Sequence, residues 1–324
     1  MGAREIPVSE VGSIRIGQTE DRQGGTGCTV FVCPEGMRAG VEIRGGGPAS
    51  RETPLLSPLT SAQLIHAVVL AGGSAFGLAA ADGVMRCLEE RGIGFDTGFA
   101  KVPLVVQSDI FDLGLGDPGA RPDAAMGYAA AVSALDAPNY RDGCFGAGYG
   151  ATVGKADGMN RCMKTGIGSY ASELGDLKVG AVVVLNAFGD IFDYRSGKQV
   201  AGLLRDDRSG FADTGEFMRR RTEAVENRFV SNTTLAAVLT NAVFDKAQLC
   251  KIAGMAHNGY ARSIRPVHTS ADGDTIYALS TGGVEADRDL VGMMAAEAVS
   301  EAILRAVWSA ESAFGCPSAA ELKF

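Results

Sequence analysis

Histidine is scarce in this chain, and that scarcity excludes several kinds of site. His66, His257 and His268 are the only three histidines in 324 residues, and none stands at metal-ligand spacing from another histidine or a cysteine pair. A zinc site and a cysteine–histidine hydrolase are therefore both disfavoured. We expect the protein to bind no metal and to need no cofactor.

Features of secreted and membrane proteins are also missing. The seven cysteines are odd in number and contain no Cys-x-x-Cys spacing; they are Cys28, Cys33, Cys87, Cys144, Cys162, Cys250 and Cys316. Reduced thiols packed inside a cytosolic protein fit this set better than a disulfide framework. No segment approaches the roughly 18 apolar residues of a membrane span, and the N-terminus, with Arg4, Glu5 and Glu10, lacks an apolar signal-peptide core. We expect a cytoplasmic protein with no membrane partner.

An excess of basic residues is absent as well. The formal charge is -8 and the pI is near 5.1, which argues against nucleic acid and anionic membranes as partners. The triplet Arg219-Arg220-Arg221 is a local exception, but Glu216, Glu223 and Glu226 surround it, as on a solvated mixed-charge surface. What is present is 46% hydrophobic residues and 44 glycines, the composition of a well-packed, enzyme-sized globular chain.

Apolar runs and helical periods predict a mixed α/β protein. Strands are predicted at 102–106, 181–185, 235–240 and 275–280, and several are apolar on both faces, as in sheets covered on both sides. Three helices are predicted: one capped by Ser74 that runs to Glu90 and stops at Gly92, one opened by Asp245 and Gln248 that ends before Pro266, and one over 290–311 that begins near Asp287 or Asp289. No linker-like segment divides the chain, so residues 1–324 are predicted to form one domain.

The segment 205–228 differs in character from the rest. Half of its residues are charged, and Gly210 and Gly215 interrupt any periodicity. We therefore expect an exposed loop, which leads directly into residues 229–232.

The bond between Asn232 and Thr233 follows that segment and opens a buried apolar run. If the chain is cut there, Thr233 carries both a hydroxyl and a free α-amine, and an amine with a pKa of about 8 can accept the proton of its own nucleophile. An ordinary strand that opens with two threonines fits the same residues. The interpretation depends on whether the chain supplies the other catalytic groups.

Three other segments offer such groups. The glycine-rich run from Gly146 to Lys155 does not have P-loop spacing, because Tyr149 stands where the first glycine is needed and Ala156 follows the lysine. Lys155 could still supply a cation to a site. Asp272 and Asp274 flank a glycine before a strand, where they could orient a hydroxyl and an amine or form a plain turn. Asn186 follows the end of a predicted strand. Its amide could donate to an oxyanion, or it could simply be a turn residue.

Several separated motifs together resemble the self-processing peptidase family S58, the P1 family. They are Gly24-Gly25-Thr26-Gly27-Cys28-Thr29, Gly72-Gly73-Ser74-Ala75-Phe76-Gly77-Leu78, Asp82-Gly83-Val84-Met85, Asn232-Thr233-Thr234-Leu235, and His268-Thr269 with Asp272-Gly273-Asp274-Thr275. The family includes an L-aminopeptidase/D-amidase/esterase, β-peptidyl aminopeptidases and the endo-type 6-aminohexanoate-oligomer (nylon oligomer) hydrolase. Asn-Thr at the cut favours the last branch, since the aminopeptidase branch usually has Gly-Ser.

The resemblance implies an αββα sandwich like that of N-terminal-nucleophile hydrolases, made as a precursor and cut into chains 1–232 and 233–324 that stay together. It also implies a homo-oligomer, a tetramer or larger. By motif, Thr233 is the nucleophile, Asn232 supplies the scissile carbonyl, Asp272 and Asp274 position and activate Thr233, Lys155 assists, and Asn186 stabilises the oxyanion. Gly72, Gly73, Ser74 and Phe111 fall at the substrate pocket. Phe111 departs from the tyrosine expected before Asp112, which removes a phenolic hydrogen bond.

These expectations describe an amidohydrolase or aminopeptidase that acts on small peptides or oligoamides. Its substrate is not fixed by the sequence. An acyltransferase like ornithine acetyltransferase, which resembles this family in fold, stays open as an alternative. So does an unprocessed, non-catalytic scaffold, which the loss of the tyrosine hydroxyl at Phe111 makes plausible.

Overall fold

The computed structural model describes residues 2–220 and 232–322 of the chain. Its helices are α1 Ala80–Glu90, α2 Ala124–Asp136, α3 Thr214–Arg219, α4 Lys246–Ser263 and α5 Arg288–Trp308. Its strands are β1 Arg4–Ile6, β2 Arg15–Asp21, β3 Thr26–Ile43, β4 Ala49–Arg51, β5 Ile65–Ala71, β6 Phe95–Asp96, β7 Lys101–Val102, β8 Val105–Asp109, β9 Thr152–Val153, β10 Met163–Lys164, β11 Ile167–Leu174, β12 Leu177–Val184, β13 Asp190–Phe192, β14 Gln199–Ala201, β15 Leu235–Ala242, β16 Ile264–Arg265 and β17 Thr275–Val284.

The long strand β3 joins two sheets. Its C-terminal half pairs with β17, which continues through β15, β12 and β11 to β1. Its N-terminal half pairs with β2 on one side and with β5 on the other, followed by β8 and β4. The register of β3 against β5 shifts between Val32 and Met37, where the strand passes from one sheet to the other.

Three apolar layers hold the two sheets and their helices together. Helices α4 and α5 pack on the outer face of the β12–β15–β17 sheet around Leu249, Ile252 and Ile303. Helices α1 and α2 cover the other sheet around Val84 and Ala131. Phe31, Leu70, Val184, Leu239 and Tyr277 fill the space between the sheets. The αββα sandwich expected from the sequence is therefore confirmed. Each sheet has helices on its outer face and the other sheet on its inner face, so strands buried on both faces are continuously apolar.

Strand direction brings three chain segments to one edge of the first sheet. β12 is antiparallel to β15, with Val184 opposite Leu235. β15 is parallel to β17, with Leu235 opposite Thr275. The end of β12 and the starts of β15 and β17 therefore meet, although they are far apart in the sequence. Continuing each register by two residues places Thr233 beside Asn186 and Gly273.

The strongest local signals in the sequence predicted their elements well. Asp245 and Gln248 form the expected capping box of α4, in which each side chain bonds the other's backbone N–H. Asp287 caps α5, where its side chain accepts a bond from the Leu290 N–H. Three of the predicted strands are confirmed as β12, β15 and β17, each somewhat longer than expected.

Other local expectations were wrong. Ser74 does not cap a helix: its φ is +54°, its N–H bonds the Ile110 carbonyl, and a 3-10 turn over Ser74–Ala79 precedes α1. Residues 102–106 divide between the end of β7 and the start of β8. Helix α2 was not predicted, because its alanine-rich sequence lacks a polar face to mark a helical period.

The expected loop over 205–228 is only partly described. Asp213 accepts a bond from the Glu216 N–H and starts α3, so a helical turn replaces part of that loop. Arg219 pairs with Glu216 on this turn. Residues 221–231, which include the rest of the loop and Arg221, lie outside the described residues.

In the described ranges, 2–220 and 232–322, no helix combines the length and the apolar character that crossing a membrane requires.

Candidate active site

Thr233 lies at the start of β15 with its hydroxyl against the peptide bond before it. The Oγ1 atom donates a hydrogen bond to the Asn232 carbonyl oxygen at 2.5 Å. The Gly273 N–H donates to the same oxygen at 2.8 Å. Thr233 is 2% exposed and Asn232 is fully buried. A hydroxyl oxygen and a backbone donor thus converge on one buried carbonyl group.

The backbone around this bond is held by strands on both sides. Asn232 bridges Asp272 in parallel register, and its N–H bonds the Ala271 carbonyl at 2.8 Å. On the other side, the Thr233 N–H bonds the Asn186 carbonyl at 2.9 Å. Because hydrogen bonds fix the segment from two directions, the hydroxyl and the carbonyl keep their relative positions.

Asp272 and Asp274 lie next to this segment, and their carboxylates have different environments. Asp272 Oδ2 accepts bonds from the N–H and the hydroxyl of Thr269, at 2.8 and 2.6 Å. Its Oδ1 is buried and has no hydrogen-bond partner among the residues that the structure describes. Burial, reinforced by the negative charge of Asp274, raises the pKa of the Asp272 carboxyl to about 6. A carboxylate with one unused oxygen and a raised pKa is suited to accept a proton.

Asp274 is tied to the segment that leads from Thr233 into β15. Its Oδ1 accepts a bond from the Thr234 N–H at 2.8 Å. Its Oδ2 accepts bonds from the backbone N–H of His268 at 3.1 Å and from the imidazole Nδ1 at 2.9 Å, with the ring tautomer that carries a proton there. Asp274 therefore holds the start of β15 in place through a fully bonded carboxylate.

Lys155 reaches the same site from the glycine-rich segment. Its Nζ donates to Asn186 Oδ1 at 2.6 Å, and the Thr152 N–H donates to that oxygen at 3.1 Å. Burial lowers the pKa of the Lys155 ammonium to about 8. Cys162, Asp272 and Asp112 act in the other direction and raise that pKa by a smaller amount. Asn186 donates its amide N–H to the Phe111 carbonyl at 3.1 Å. Asn186 is thus a connecting residue between Lys155, the Thr233 backbone and Phe111.

The residues assigned to the substrate pocket lie next to Phe111. Asp112 links them: its Oδ1 accepts the Gly73 N–H at 2.7 Å, and its Oδ2 accepts the Thr26 hydroxyl at 2.7 Å. A Cβ on Gly72 would stand 2.0 Å from Asp112 Oδ2, so glycine is required there. Burial raises the pKa of the Asp112 carboxyl. Gly72, Gly73, Ser74 and Phe111 are therefore grouped, and Phe111 connects the group to Asn186.

Three residues at the site had no assigned role in the sequence analysis. Gly273 contributes only a backbone N–H, for which no side-chain signal exists. His268 was seen as part of a motif; its backbone is left-handed, with φ of +58°, and its ring bonds Asp274. Asp112 was noted only as the neighbour of Phe111, and the glycines packed around it could have indicated a buried side chain.

Among residues 2–220 and 232–322, no group of three or more histidine, cysteine or acidic side chains is arranged to hold a metal ion.

Comparison with known proteins identifies the family of this chain. The model of peptidase family S58 matches residues 7–319. The chain belongs to peptidase family S58. Relatives in the family include an uncharacterized aminopeptidase of Mycobacterium leprae, which is 39% identical over 90% of this chain and 85% of the relative. A 6-aminohexanoate-oligomer endohydrolase of Agromyces sp. is 33% identical over 94% of this chain and 86% of the relative.

Solved structures similar to this S58 chain support the fold. A Burkholderia sp. beta-aminopeptidase has a TM-score of 0.65 and 21% identity, and the match covers 96% of this chain and 90% of the other. The L-aminopeptidase D-Ala-esterase/amidase of Ochrobactrum anthropi, described as a variant of the Ntn hydrolase fold, has a TM-score of 0.65 and 18% identity, covering 93% and 85%. At these identities the likeness establishes the fold alone.

Membership of family S58 gives the general chemistry. The protein is a hydrolase of the aminopeptidase and amidohydrolase type, which acts on amide bonds. A family of peptidases is the match, so the hydrolase expected from the sequence is confirmed, and neither the acyltransferase nor the non-catalytic scaffold finds support in these comparisons.

Proposed function

We propose that this S58 hydrolase is made as a single-domain precursor that cuts itself between Asn232 and Thr233, and that Thr233 then serves as its N-terminal nucleophile. The observation that carries the proposal is the convergence of the Thr233 hydroxyl and the Gly273 N–H on the Asn232 carbonyl oxygen. β15 lies between β12 and β17, so chains 1–232 and 233–324 share one sheet and would stay together after the cut.

In the first stage, Thr233 Oγ1 attacks the Asn232 carbonyl carbon while its proton passes to a nearby base. The Gly273 N–H stabilises the oxyanion that forms on the carbonyl oxygen. The peptide C–N bond breaks, the Thr233 nitrogen takes up a proton, and the acyl group now rests on Oγ1 as an ester. Water hydrolyses this ester, which leaves a carboxylate on Asn232 and a free amine on Thr233.

In the second stage, the freed amine replaces the external base. Thr233 Oγ1 attacks the carbonyl of a substrate amide, its proton passes to the α-amine, and an acyl-enzyme forms and is hydrolysed. Asp272 and Asp274 orient the amine and hydroxyl, and Asn186 stabilises the oxyanion with its carboxamide. Lys155 contributes a cation next to Asn186. The branched threonine side chain has few rotamers, which keeps Oγ1 aligned in both stages.

The base of the first stage is expected to be Asp272, and the pH dependence of the self-cleavage rate tests this assignment. Asp272 has a buried oxygen to which none of the described residues donates, whereas the Lys155 ammonium is already a donor to Asn186. A carboxyl group accepts a proton only when ionised, so self-cleavage should accelerate as pH rises through about 6, the raised pKa of Asp272. Freshly translated precursor transferred to a series of buffers gives this rate.

If Lys155 were the base, the rate of self-cleavage would instead rise near pH 8, where that amine loses its proton. The Asp272→Asn variant supplies the control, since its rate of self-cleavage should no longer rise near pH 6. A profile that keeps its midpoint in Asp272→Asn would assign the proton to another group.

The space around the Thr233 hydroxyl gives a second test. A Cβ on Gly273 would lie 2.6 Å from Thr233 Oγ1 and 3.0 Å from the Gly47 carbonyl oxygen. In Gly273→Ala the hydroxyl must rotate away, and both self-cleavage and amide hydrolysis should slow by about 100-fold, the typical effect of a misplacement near 1 Å. Gel analysis of precursor decay and a hydrolysis assay measure the two rates.

Gly47→Ala is the matched control, because the nearest atoms to its new Cβ would be 3.9 and 4.0 Å away. Wild-type rates are expected for it. Equal effects of the two substitutions would show that crowding at the nucleophile is not the cause.

The proposed substrates are short peptides with free amino ends, β-peptides, D-amides, pantetheine-like amides and oligoamides such as 6-aminohexanoate oligomers. All of them contain an amide carbonyl of the kind that the Thr233 hydroxyl attacks in the second stage. Incubation of the purified enzyme with one member of each class, with and without ornithine as acyl acceptor, tests the proposal. Free acid and free amine from at least one class are expected; acyl transfer to ornithine in place of hydrolysis would favour the acyltransferase.

We also propose a homo-oligomer, a tetramer or larger, located in the cytoplasm. The hairpin of β6 and β7 supports self-association, because Phe99 at its tip is 100% exposed and Phe95 is 59% exposed. Exposed aromatic side chains of this kind are typical of contact surfaces. All seven cysteines are free thiols, which favours a reducing compartment.

A further inference from the structure

Two buried cysteines face each other across the two segments that the proposed cut would separate. Cys162 follows the 3-10 turn Met159–Arg161, and Cys316 lies in a C-terminal turn closed by reciprocal backbone bonds with Ala313. Their Sγ atoms are 3.3 Å apart. Cys162 is 1% exposed and Cys316 is 6% exposed. The mechanism above uses neither of them.

The backbone holds the two cysteine-bearing segments side by side without help from the sulfurs. Lys164 bridges Ser318 in parallel register, and the Lys164 N–H bonds the Pro317 carbonyl at 2.9 Å. Cys162 and Cys316 each stand two residues before this bridge, so they lie on the same side of the paired segments. A disulfide needs Cα atoms about 4.4–6.8 Å apart, which spans the usual distance between neighbouring strands.

An arginine clamps the same two turns from outside. The Arg208 guanidinium donates to the Asn160 carbonyl at 2.8 Å and to the Gly315 carbonyl at 3.2 Å. The segments before and after the proposed cut are therefore aligned next to both cysteines. Bond formation requires the sulfurs to move from 3.3 Å to about 2.05 Å, while the backbone keeps its place.

The charges around the pair favour a reaction that starts at Cys316. The hydrogen bond between the two sulfurs, helped by the positive charges of Lys164, Arg208 and Lys155, lowers the pKa of the Cys316 thiol. The pKa of the Cys162 thiol is raised, first by its hydrogen bond to Cys316 and then by burial. The Cys162 thiol also donates to the Met159 carbonyl at 3.1 Å, and Cys316 is the more exposed of the two residues. Since the thiolate is the nucleophilic form, Cys316 is therefore the sulfur that reacts with an oxidant and Cys162 is the one that resolves the product.

We propose that Cys162 and Cys316 form a reversible disulfide when a small peroxide reaches them, and that this bond ties residues 1–232 covalently to residues 233–324. The Cys316 thiolate attacks hydrogen peroxide, which gives a sulfenic acid and hydroxide. The Cys162 sulfur, giving up its proton, then displaces hydroxide from the sulfenic sulfur. The balance is two thiols and one peroxide going to one disulfide and two waters. Only the tie between separate chains rests on the proposed self-cleavage.

Peptide mapping of the full-length protein tests the inference. The purified enzyme is treated with hydrogen peroxide, its remaining thiols are alkylated in denaturant, and it is digested. A cross-linked peptide containing Cys162 and Cys316 is expected, lighter by two hydrogen atoms than the sum of the two thiol peptides and split by dithiothreitol. Recovery of both residues as alkylated thiols, as sulfinic acids or in bonds to other cysteines would overturn the inference.

A non-reducing gel adds the link between chains. Mature oxidised enzyme should migrate as one species of full length and return to two chains on reduction. Cys316→Ser should abolish this shift. Cys144→Ser is the matched control, because Cys144 does not belong to the facing pair, and it should retain the shift. If the protein is not cut, the cross-linked peptide still forms but the gel does not change, so failure of self-cleavage and failure of the thiol pair give different results.

Discussion

Replacing Thr233 with valine is expected to leave the chain uncut and to lower amide hydrolysis by at least about 10⁴-fold. Valine keeps the branched shape of threonine and removes only the hydroxyl that bonds the Asn232 carbonyl. Loss of the nucleophile from a covalent hydrolase removes most of its catalysis, because the remaining groups act through it. Intact mass of the purified variant and its kcat/KM on the best amide of the panel measure the two effects.

The next residue provides the control. Thr234 is also buried, and within residues 2–220 and 232–322 its hydroxyl has no hydrogen-bond partner. Thr234→Val therefore removes an unsatisfied polar group, a change that is neutral or stabilising. It should be cut and active like the wild type. A Thr233→Val protein that still splits after residue 232 would exclude Thr233 as the agent of cleavage.

Replacing Lys155 with methionine is expected to slow both stages by about 10²–10⁴-fold without lowering the melting temperature. Methionine fills a similar space, and removing a buried charge relieves the desolvation that lowers the pKa of Lys155. What is lost is the cation that bonds Asn186 next to the nucleophile. Rates of precursor decay and hydrolysis, with a thermal melt of the same sample, measure the two properties.

Lys246 offers the opposite pattern. It is buried away from the site, and its ammonium donates to the carbonyls of Leu55, Thr60 and Ala62 at 2.9–3.1 Å. Lys246→Met removes the ammonium donor from these partly buried carbonyls, of which Leu55 keeps the Thr60 hydroxyl as a donor, so the melting temperature should fall while the rate per folded molecule is unchanged. If Lys155→Met instead behaves like Lys246→Met, the contribution of Lys155 is structural and its place in the mechanism is lost.

The sequence indicated the parts of the candidate site whose signals lie in side chains. Thr233, Asp272, Asp274, Lys155 and Asn186 were each chosen for chemical type, and the structure brings their segments together. Their meeting point depends on the antiparallel pairing of β12 with β15 and the parallel pairing of β15 with β17. Strand order and direction are long-range properties, so neither local propensity nor motif spacing could supply that arrangement.

The features that could not be predicted share a physical cause. The Gly273 N–H is a backbone group, and the Ser74 turn depends on a positive φ that the surrounding fold imposes. Cys162 and Cys316 are 154 positions apart, and each alone is typical of a packed thiol. Capping residues such as Asp245 were predictable because the interaction they make is complete within four residues.

The most direct test of the central claim is the intact mass of wild-type protein purified under native conditions. Two species are predicted, one ending at Asn232 and one beginning with a free Thr233, present in equal amounts and eluting together. A single species of 324 residues that stays whole on prolonged incubation, or a pair divided at any other bond, would contradict it.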